Sequence, residues 1–385
     1  MRRLLHVLIA GSLSIGACDR GSGSTADAGA PLPSGAAPAV QPLAPPPPPP
    51  KPAPPAPAAP LAGAMSFADL AAQADPAVVF VKTLQRRHGQ PGEGLGSAFV
   101  YDSSGLILTN NHVIENASDI RVIFGNKREM KAEVVGRDPP TDVAVLRVES
   151  KPLPHLELGD SDSLRVGDWV VAIGNPFGLS HTVSAGIVSA KGRTGADVPG
   201  LGDSTGYYNF LQTDASINPG NSGGPLLDMS GRAVGINTAI RARANNIGFA
   251  VPINMVRELL PHLLKEGKVR RSGIGIGVVS VQIEDMARLN LKERTGALVS
   301  EVMPGLPGDK AGLRPDDIII GYEGQQVPGP EKLRWDVSLA GVGKTVTLRV
   351  KRGTRVFDVK TSLVDLKELP GEQPKPPQPE PFGFP

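Results

Sequence analysis

The sequence predicts a mostly β chain, with a first unit of short strands and a smaller second unit of mixed strands and helices. Between residues 77 and 251, short apolar runs are separated by Gly, Asn and Asp at near-regular spacing. Many short strands so spaced make a sandwich or barrels. From 272 to 366 the texture changes. Strand-like runs at 297–302, 317–322, 345–351 and 355–361 are mixed with helical patterns at 284–289 and 330–340. That mixture reads as a separate α+β domain.

The elements follow in order. Ser66 stands where a helix cap belongs and Asp69 falls in the first turn, so 66–74 reads as a short helix. Strands are expected at 77–81, 96–101, 106–109, 120–124, 131–135, 143–148, 169–173, 182–188, 210–213, 225–227, 233–238 and 247–251. Met255, Leu259, Leu260 and Leu263 then recur at helical spacing, and Gly267 is a natural stop. A helix therefore closes the first unit.

Composition bounds the rest. A chain of 385 residues predicts two or three domains. Lys+Arg number 40 against 38 Asp+Glu, which gives no electrostatic case for nucleic acid. Cys18 is the one cysteine, so neither an internal disulfide nor a cysteine-based zinc site can form within one chain. No metal or cofactor is expected. Residues 1–18 read as an export signal: a basic start, then an apolar stretch too short to span a bilayer. The stretch ends in Ile15-Gly16-Ala17-Cys18, which resembles a bacterial lipobox, in which the cysteine is acylated. The other reading is an ordinary signal with an incidental Cys. Acylation at Cys18 would tether the chain to a membrane of the cell envelope, facing the periplasm. Residues 19–62 are Gly/Ser/Ala-rich and then Pro-rich, which suits a semi-rigid spacer or a ligand for a Pro-binding module. The first folded domain is expected over 63–267 and the second over 268–366. The Pro-rich tail, 367–385, is expected to be disordered.

Chemistry is carried by three residues. Among the six histidines, His112 sits where a strand gives way to a turn, in Leu108-Thr109-Asn110-Asn111-His112-Val113. A strand-end imidazole is held firmly yet reachable, as a general base must be. Asp142 heads the apolar run Val143-Ala144-Val145-Leu146. A carboxylate buried there needs a partner, and an imidazole N–H would serve, fixing the tautomer that leaves the other nitrogen basic. The alternative is a turn Asp before a strand. Ser222 lies in Gly220-Asn221-Ser222-Gly223-Gly224-Pro225. The glycines permit a sharp turn around an uncrowded hydroxyl, and the Gly220 and Ser222 amides can then point together at a developing oxyanion. A seryl hydroxyl is a poor nucleophile until a base takes its proton.

These runs resemble the HtrA/Deg family of trypsin-like serine proteases with a C-terminal PDZ domain. Further matching runs are Gly174-Asn175-Pro176-Phe177-Gly178-Leu179, Gln212-Thr213-Asp214-Ala215-Ser216-Ile217-Asn218-Pro219 and Gly248-Phe249-Ala250-Val251-Pro252. The resemblance implies a chymotrypsin-like pair of perpendicular six-stranded β-barrels with the site in the cleft between them. It implies a triad of His112, Asp142 and Ser222, an oxyanion hole at Gly220, Asn221 and Ser222, and endoproteolysis of unfolded or selected exported proteins without metal or ATP. Relatives that cut after Lys or Arg carry an acid six residues before the nucleophile. Here that position is Ser216, followed by Ile217. An S1 pocket walled by Ser216, Ile217, Asn237, Thr238 and Ala239 is expected to favour small aliphatic residues. Few residues separate the first two strands, 83–95, which argues against caged assemblies and for a homotrimer with contacts in 66–80. Residues 193–208 are expected to form an activation loop.

The second unit resembles a PDZ domain in Gly296-Ala297-Leu298-Val299-Ser300 and in 304–319. Such domains take a C-terminal peptide as an added strand. Its carboxylate loop is expected at Ile274, Gly275 and Ile276, with Ile276-Gly277-Val278 as the other register. Three roles remain open: envelope quality control, cleavage of one signalling substrate, or a peptide-binding chaperone or scaffold with little turnover. In the bland reading of the PDZ unit it merely packs on the first domain.

Overall fold

The computed structural model describes residues 66–87, 90–150, 152–175, 182–198, 206–218, 220–238 and 247–369. All belong to one compact unit. The export signal with Cys18, the Pro-rich spacer and the tail lie outside them. Among the described residues, no helix is long and apolar enough to cross a membrane.

Helix α1 (Phe67–Ala74) begins at the expected cap. Ser66 Oγ accepts from Asp69 N at 3.1 Å, and the Ser66 N–H donates back to Asp69 Oδ2 at 3.3 Å, a reciprocal capping box. Seven strands follow: β1 (Val78–Arg87), β2 (Gln90–Asp102), β3 (Leu106–Asn110), β4 (Ala117–Ile123), β5 (Glu129–Lys131), β6 (Glu133–Asp138) and β7 (Val143–Arg147), with the short turn of helix α2 (Asn111–Ile114) between β3 and β4. Their order is β5-β4-β1-β2-β3-β7-β6. The two edge strands of that order are separated in sequence only by Ala132, so the sheet rolls up until its edges meet. Ala132 N donates to Ile120 O at 2.9 Å at that join. The strand expected at 131–135 is thus one barrel strand broken in two.

The second barrel closes directly. Its strands are β8 (Trp169–Gly174), β9 (Thr182–Arg193), β10 (Phe210–Thr213), β11 (Pro225–Leu227), β12 (Ala233–Thr238) and β13 (Gly248–Pro252), ordered β10-β13-β12-β11-β8-β9. Period-two alternation explains why so many strands read as unbroken apolar runs. Val79, Val81, Ala98, Val100, Ile107, Ala144 and Leu146 fill the first barrel. Val170, Ala172, Leu211, Leu226, Val234 and Ala250 fill the second. The intervening residues meet in a third cluster between the barrels: Val78, Phe99, Leu108, Val143 and Val145 from one, and Val171, Ile173, Leu227, Ile236 and Val251 from the other. Helix α3 (Ile253–Glu266) adds Val256, Leu259 and Leu263 to that cluster, and α1 adds Leu70 and Ala74.

One expectation is corrected here. The β1–β2 hairpin continues well beyond Val81, pairing Lys82 with Leu95 and on to Arg87 with Gln90. These arms lack apolar alternation, so only the pairing reveals them. The segment 66–80 is divided: Leu70, Ala74, Val78 and Val79 are core, while Phe67, Ala68, Asp69, Ala72, Gln73 and Pro76 are exposed. The exposed aromatic among them, Phe67, has its ring 5.4 Å from that of exposed Trp169.

The second domain contains β14 (Ser272–Gly273), β15 (Ile276–Ser280), α4 (Ile283–Arg288), β16 (Ala297–Val302), α5 (Pro307–Lys310), β17 (Ile318–Tyr322), β18 (Gln325–Gln326), α6 (Pro330–Leu339), β19 (Thr345–Arg352), β20 (Arg355–Ser362) and β21 (Val364–Asp365). The main sheet runs β15-β16-β17-β19-β20, so β15 is an edge strand. It was not legible as a strand because alternating Gly and Ile carry no two-sided pattern.

A buried ion pair joins the two domains. Arg271 Nη2 lies 2.5 Å from Asp138 Oδ2, and both side chains are buried. Arg271 also donates to Ser338 Oγ on α6 at 3.1 Å, and its guanidinium lies 3.9 Å from the centre of the Tyr207 ring. Trp335 Nε1 donates to Glu258 on α3 at 2.5 Å. Removing one partner of a buried pair strands the other charge. Arg271→Ala is therefore expected to cost about 3–5 kcal/mol in urea denaturation. Arg271→Met combined with Asp138→Asn, which removes both charges, should recover at least half of that loss.

Candidate active site

The pairing of β3 with β7 brings His112 to Asp142. Asn110, the last residue of β3, is opposite Val143, the first of β7. His112 lies two residues beyond that pair on one strand and Asp142 one residue before it on the other, so thirty residues of sequence separation vanish. The two turns are then tied four times. Asn111 N donates to Asp142 O at 3.1 Å, and Asn110 Nδ2 to the same oxygen at 3.0 Å. His112 N donates to Asp142 Oδ1 at 2.9 Å, and His112 Nδ1 lies 2.7 Å from Asp142 Oδ2. Asp142 follows the 3₁₀ turn Pro139–Thr141 and adopts a left-handed φ of 59°. Asp tolerates that region better than most residues.

A carboxylate facing Nδ1 makes that nitrogen the donor and leaves Nε2 as the base. The protein packed around the imidazole is the largest single influence on it and pushes its pKa down, although 45% of the side chain remains open to solvent. The charge and hydrogen bond of Asp142, helped by the charge of Glu115, outweigh that, so the pKa lies above the ordinary 6.5.

Ser222 lies on the turn between β10 and β11 and is itself buried. Gly223 has φ +87°, and a Cβ there would stand 2.0 Å from Ser97 O and 2.4 Å from Thr109 Oγ1. Only glycine lets this turn press against β2 and β3, three residues before His112. Gly223 N donates to Asn237 O at 2.8 Å, which ties the turn to β12.

The expected S1 residues separate. Ser216 is exposed, and its carbonyl accepts from Asn221 Nδ2 at 3.3 Å. Ile217 packs against the core of the second barrel. Asn237 and Thr238, expected in the pocket wall, have their side chains engaged by neighbouring strands and by Asp142. The Asn237 amide is fully buried and donates to Pro225 O at 2.8 Å. Thr238 Oγ1 donates to Asp142 Oδ2 at 3.0 Å, so its side chain serves the His–Asp pair across the barrel boundary. The one signal for this was a polar Asn-Thr pair ending an otherwise apolar strand. Ala239 lies outside the described residues, as do His6, His88 and His181. His155 and His262 are not gathered with His112.

In the second domain Ile276, Gly277 and Val278 belong to β15, paired with β16. Ile274 and Gly275 form the turn before it. Gly275 has φ +74°, Ile274 O accepts from Gly308 N at 2.8 Å, and Gly275 O accepts from Met303 N at 2.9 Å. A groove of about 250 Å³ runs between β15 and α6, lined by Ile274, Ile276, Leu333 and Val337, with Tyr207 and Leu369 at its rim.

Residues 96–236 match the trypsin-like peptidase domain family and residues 272–363 the PDZ domain family. A solved structure, the HtrA-type protease AlgW with tripeptide, is 36% identical, with a TM-score of 0.69, 81% of this chain covered and 99% of that one. The chain belongs to the HtrA-type proteases. A probable periplasmic serine endoprotease, DegP-like, from Chlamydia pneumoniae is 41% identical over 283 residues, 72% of this chain and 57% of that protein. The putative serine protease HhoB of Synechocystis is 41% identical over 271 residues, 68% of this chain and 64% of that protein. The chain thus spans less than two thirds of the length of these curated relatives.

The electrostatics generate a direct test. A proton NMR titration of His112 in the Ser222→Ala protein should give a midpoint above 6.5. Asp142→Asn removes the dominant upward influence and should move that midpoint downward, with burial then prevailing.

Proposed function

We propose that this HtrA-type chain is an ATP-independent serine endoprotease of the cell envelope that acts on misfolded or selected exported proteins. The observation that carries the reading is the fourfold tie between the His112 and Asp142 turns, with the Ser222 turn pressed against the strand that leads to His112. In the proposed cycle the Ser222 hydroxyl attacks a peptide carbonyl while His112 Nε2 accepts its proton. Asp142 holds the imidazolium through Nδ1–H. The oxyanion is held by backbone amides in the turn 220–222: Gly220 and Ser222 donate, and Asn221 shapes the turn between them. His112 then returns its proton to the leaving amine. Water, activated by the same imidazole, releases the acyl group and regenerates Ser222.

The uncharged Ser216 and apolar Ile217 support a small aliphatic P1 preference. The edge strand β15 and its groove support capture of exposed C-terminal peptides, with Ile274, Gly275 and Ile276 receiving the carboxylate. Tyr207 belongs to the first domain yet lines that groove, which supports regulation of cleavage by peptide. Acylation at Cys18 and the Pro-rich spacer would hold the enzyme at the membrane, facing the periplasm. The exposed Phe67–Trp169 pair supports a homotrimer; a monomer of the soluble ectodomain in analytical ultracentrifugation would remove that part.

Casein cleavage tests the central claim. Wild type should cleave, and Ser222→Ala, His112→Ala and Asp142→Asn should each lose roughly 10⁴-fold or more. Equal activity in wild type and Ser222→Ala would end the reading. Hydrophobic C-terminal peptides should raise the wild-type rate and leave Ser222→Ala silent.

A further inference from the structure

Ser97, on β2, contacts the Ser222 turn from the opposite barrel. It is completely buried, and all of its polar atoms are engaged. Its N–H donates to Ser222 O at 2.8 Å. Its hydroxyl donates to Gly220 O at 2.5 Å and accepts from Asn175 N at 2.8 Å. Its carbonyl accepts from Thr109 Oγ1 at 2.8 Å.

The direction of the hydroxyl bond is set by elimination. Asn175 N–H can only donate, and the Gly220 carbonyl can only accept. The single hydroxyl proton must therefore go to Gly220 O. Two carbonyls of the nucleophile turn are thereby held from one residue: Gly220 O by the side chain and Ser222 O by the backbone. The Ser222 amide lies between those two fixed points. Gly220 has φ +106°, a region open to glycine and closed to most residues, so local sterics alone do not hold its peptide planes. Asn175 is buried as well, so its N–H would lose this acceptor if the hydroxyl were removed. Ser97 is also anchored to Thr109, on the strand that leads to His112, so it relates the amides of one barrel to the base of the other.

We propose that Ser97 is a positioning residue for acyl transfer: its hydroxyl holds the turn 220–222 in the conformation that aims the oxyanion-binding amides. This rests on the assignment of Ser222 as nucleophile. It predicts a loss in the chemical step and not in substrate capture, because Ser97 is buried behind the turn.

The test uses the full chain and a chromogenic peptide with an aliphatic P1 residue. Ser97→Ala should lower kcat roughly tenfold to a hundredfold, as small misplacements in a site do, with KM within about twofold of wild type. The rate of Ser222 labelling by a fluorophosphonate should fall in parallel, because that reaction needs the same amides. Ser97→Cys keeps the volume but donates weakly and should fall between the two; it also serves if Ser97→Ala is recovered unfolded. Wild-type kcat in a folded variant, or a raised KM with kcat unchanged, would overturn the proposal. Full activity in Ser222→Ala would instead sink the nucleophile assignment, which separates the two failures.

Discussion

Everything in the site depends on one constraint: the proposed base and nucleophile belong to different barrels and must be held in register across the boundary. Asp142 does this from one side. Its carboxylate accepts from His112 in its own barrel and from Thr238 in the other. Ser97 does it from the opposite side, joining β2 to the Ser222 turn. Between these polar ties lies the apolar cluster shared by both barrels and capped by α1 and α3. Burial supplies adhesion there, but it is not directional. The hydrogen bonds supply the register that adhesion alone cannot.

The same turn that presents Asp142 also meets the second domain. Asp138, Pro139, Pro140 and Thr141 lead directly into Asp142. Asp138 accepts from Thr141 Oγ1 at 2.6 Å and pairs with Arg271 of the second domain. Pro140 O accepts from Tyr207 N at 2.8 Å, and the Tyr207 ring lines the groove beside β15. Contacts at the groove beside β15 and contacts at Asp142 are therefore separated by a few residues of one stiff, Pro-containing turn. A rigid connection of this kind ties the position of the Asp142 turn to the seating of α6 and Tyr207.

How much of this was legible in sequence follows from how local each signal is. Ser66 and Asp69 announce a cap within four residues, and the capping box is found there. Helix α3 ends where Gly267 stops it. Strand runs at 106–109, 169–173 and 233–238 were readable because both faces are buried along most of their length, which keeps those positions apolar. The β1–β2 extension and β15 were not, since their pairing comes from backbone register with a partner strand. His112, Asp142 and Ser222 stood out through flanking residues that each make sense alone: a strand end, an acid before an apolar run, a glycine-rich turn.

Ser97 and Thr238 mark where that legibility ends. Each is a small hydroxyl residue at a strand position that reads as ordinary core or pocket wall. Neither has a neighbour in sequence that betrays its partner: Ser97 bonds to a residue 123 positions away, and Thr238 to one 96 positions away. Such contacts exist only once two barrels have closed and packed. The proposed nucleophile is readable because its demands are local: a hydroxyl, a sharp turn, free amides. The groups proposed to aim it answer to the packing of the whole domain, so they surface only in three dimensions. A buried hydroxyl with every polar atom engaged across a barrel boundary is the feature by which a structure reveals them.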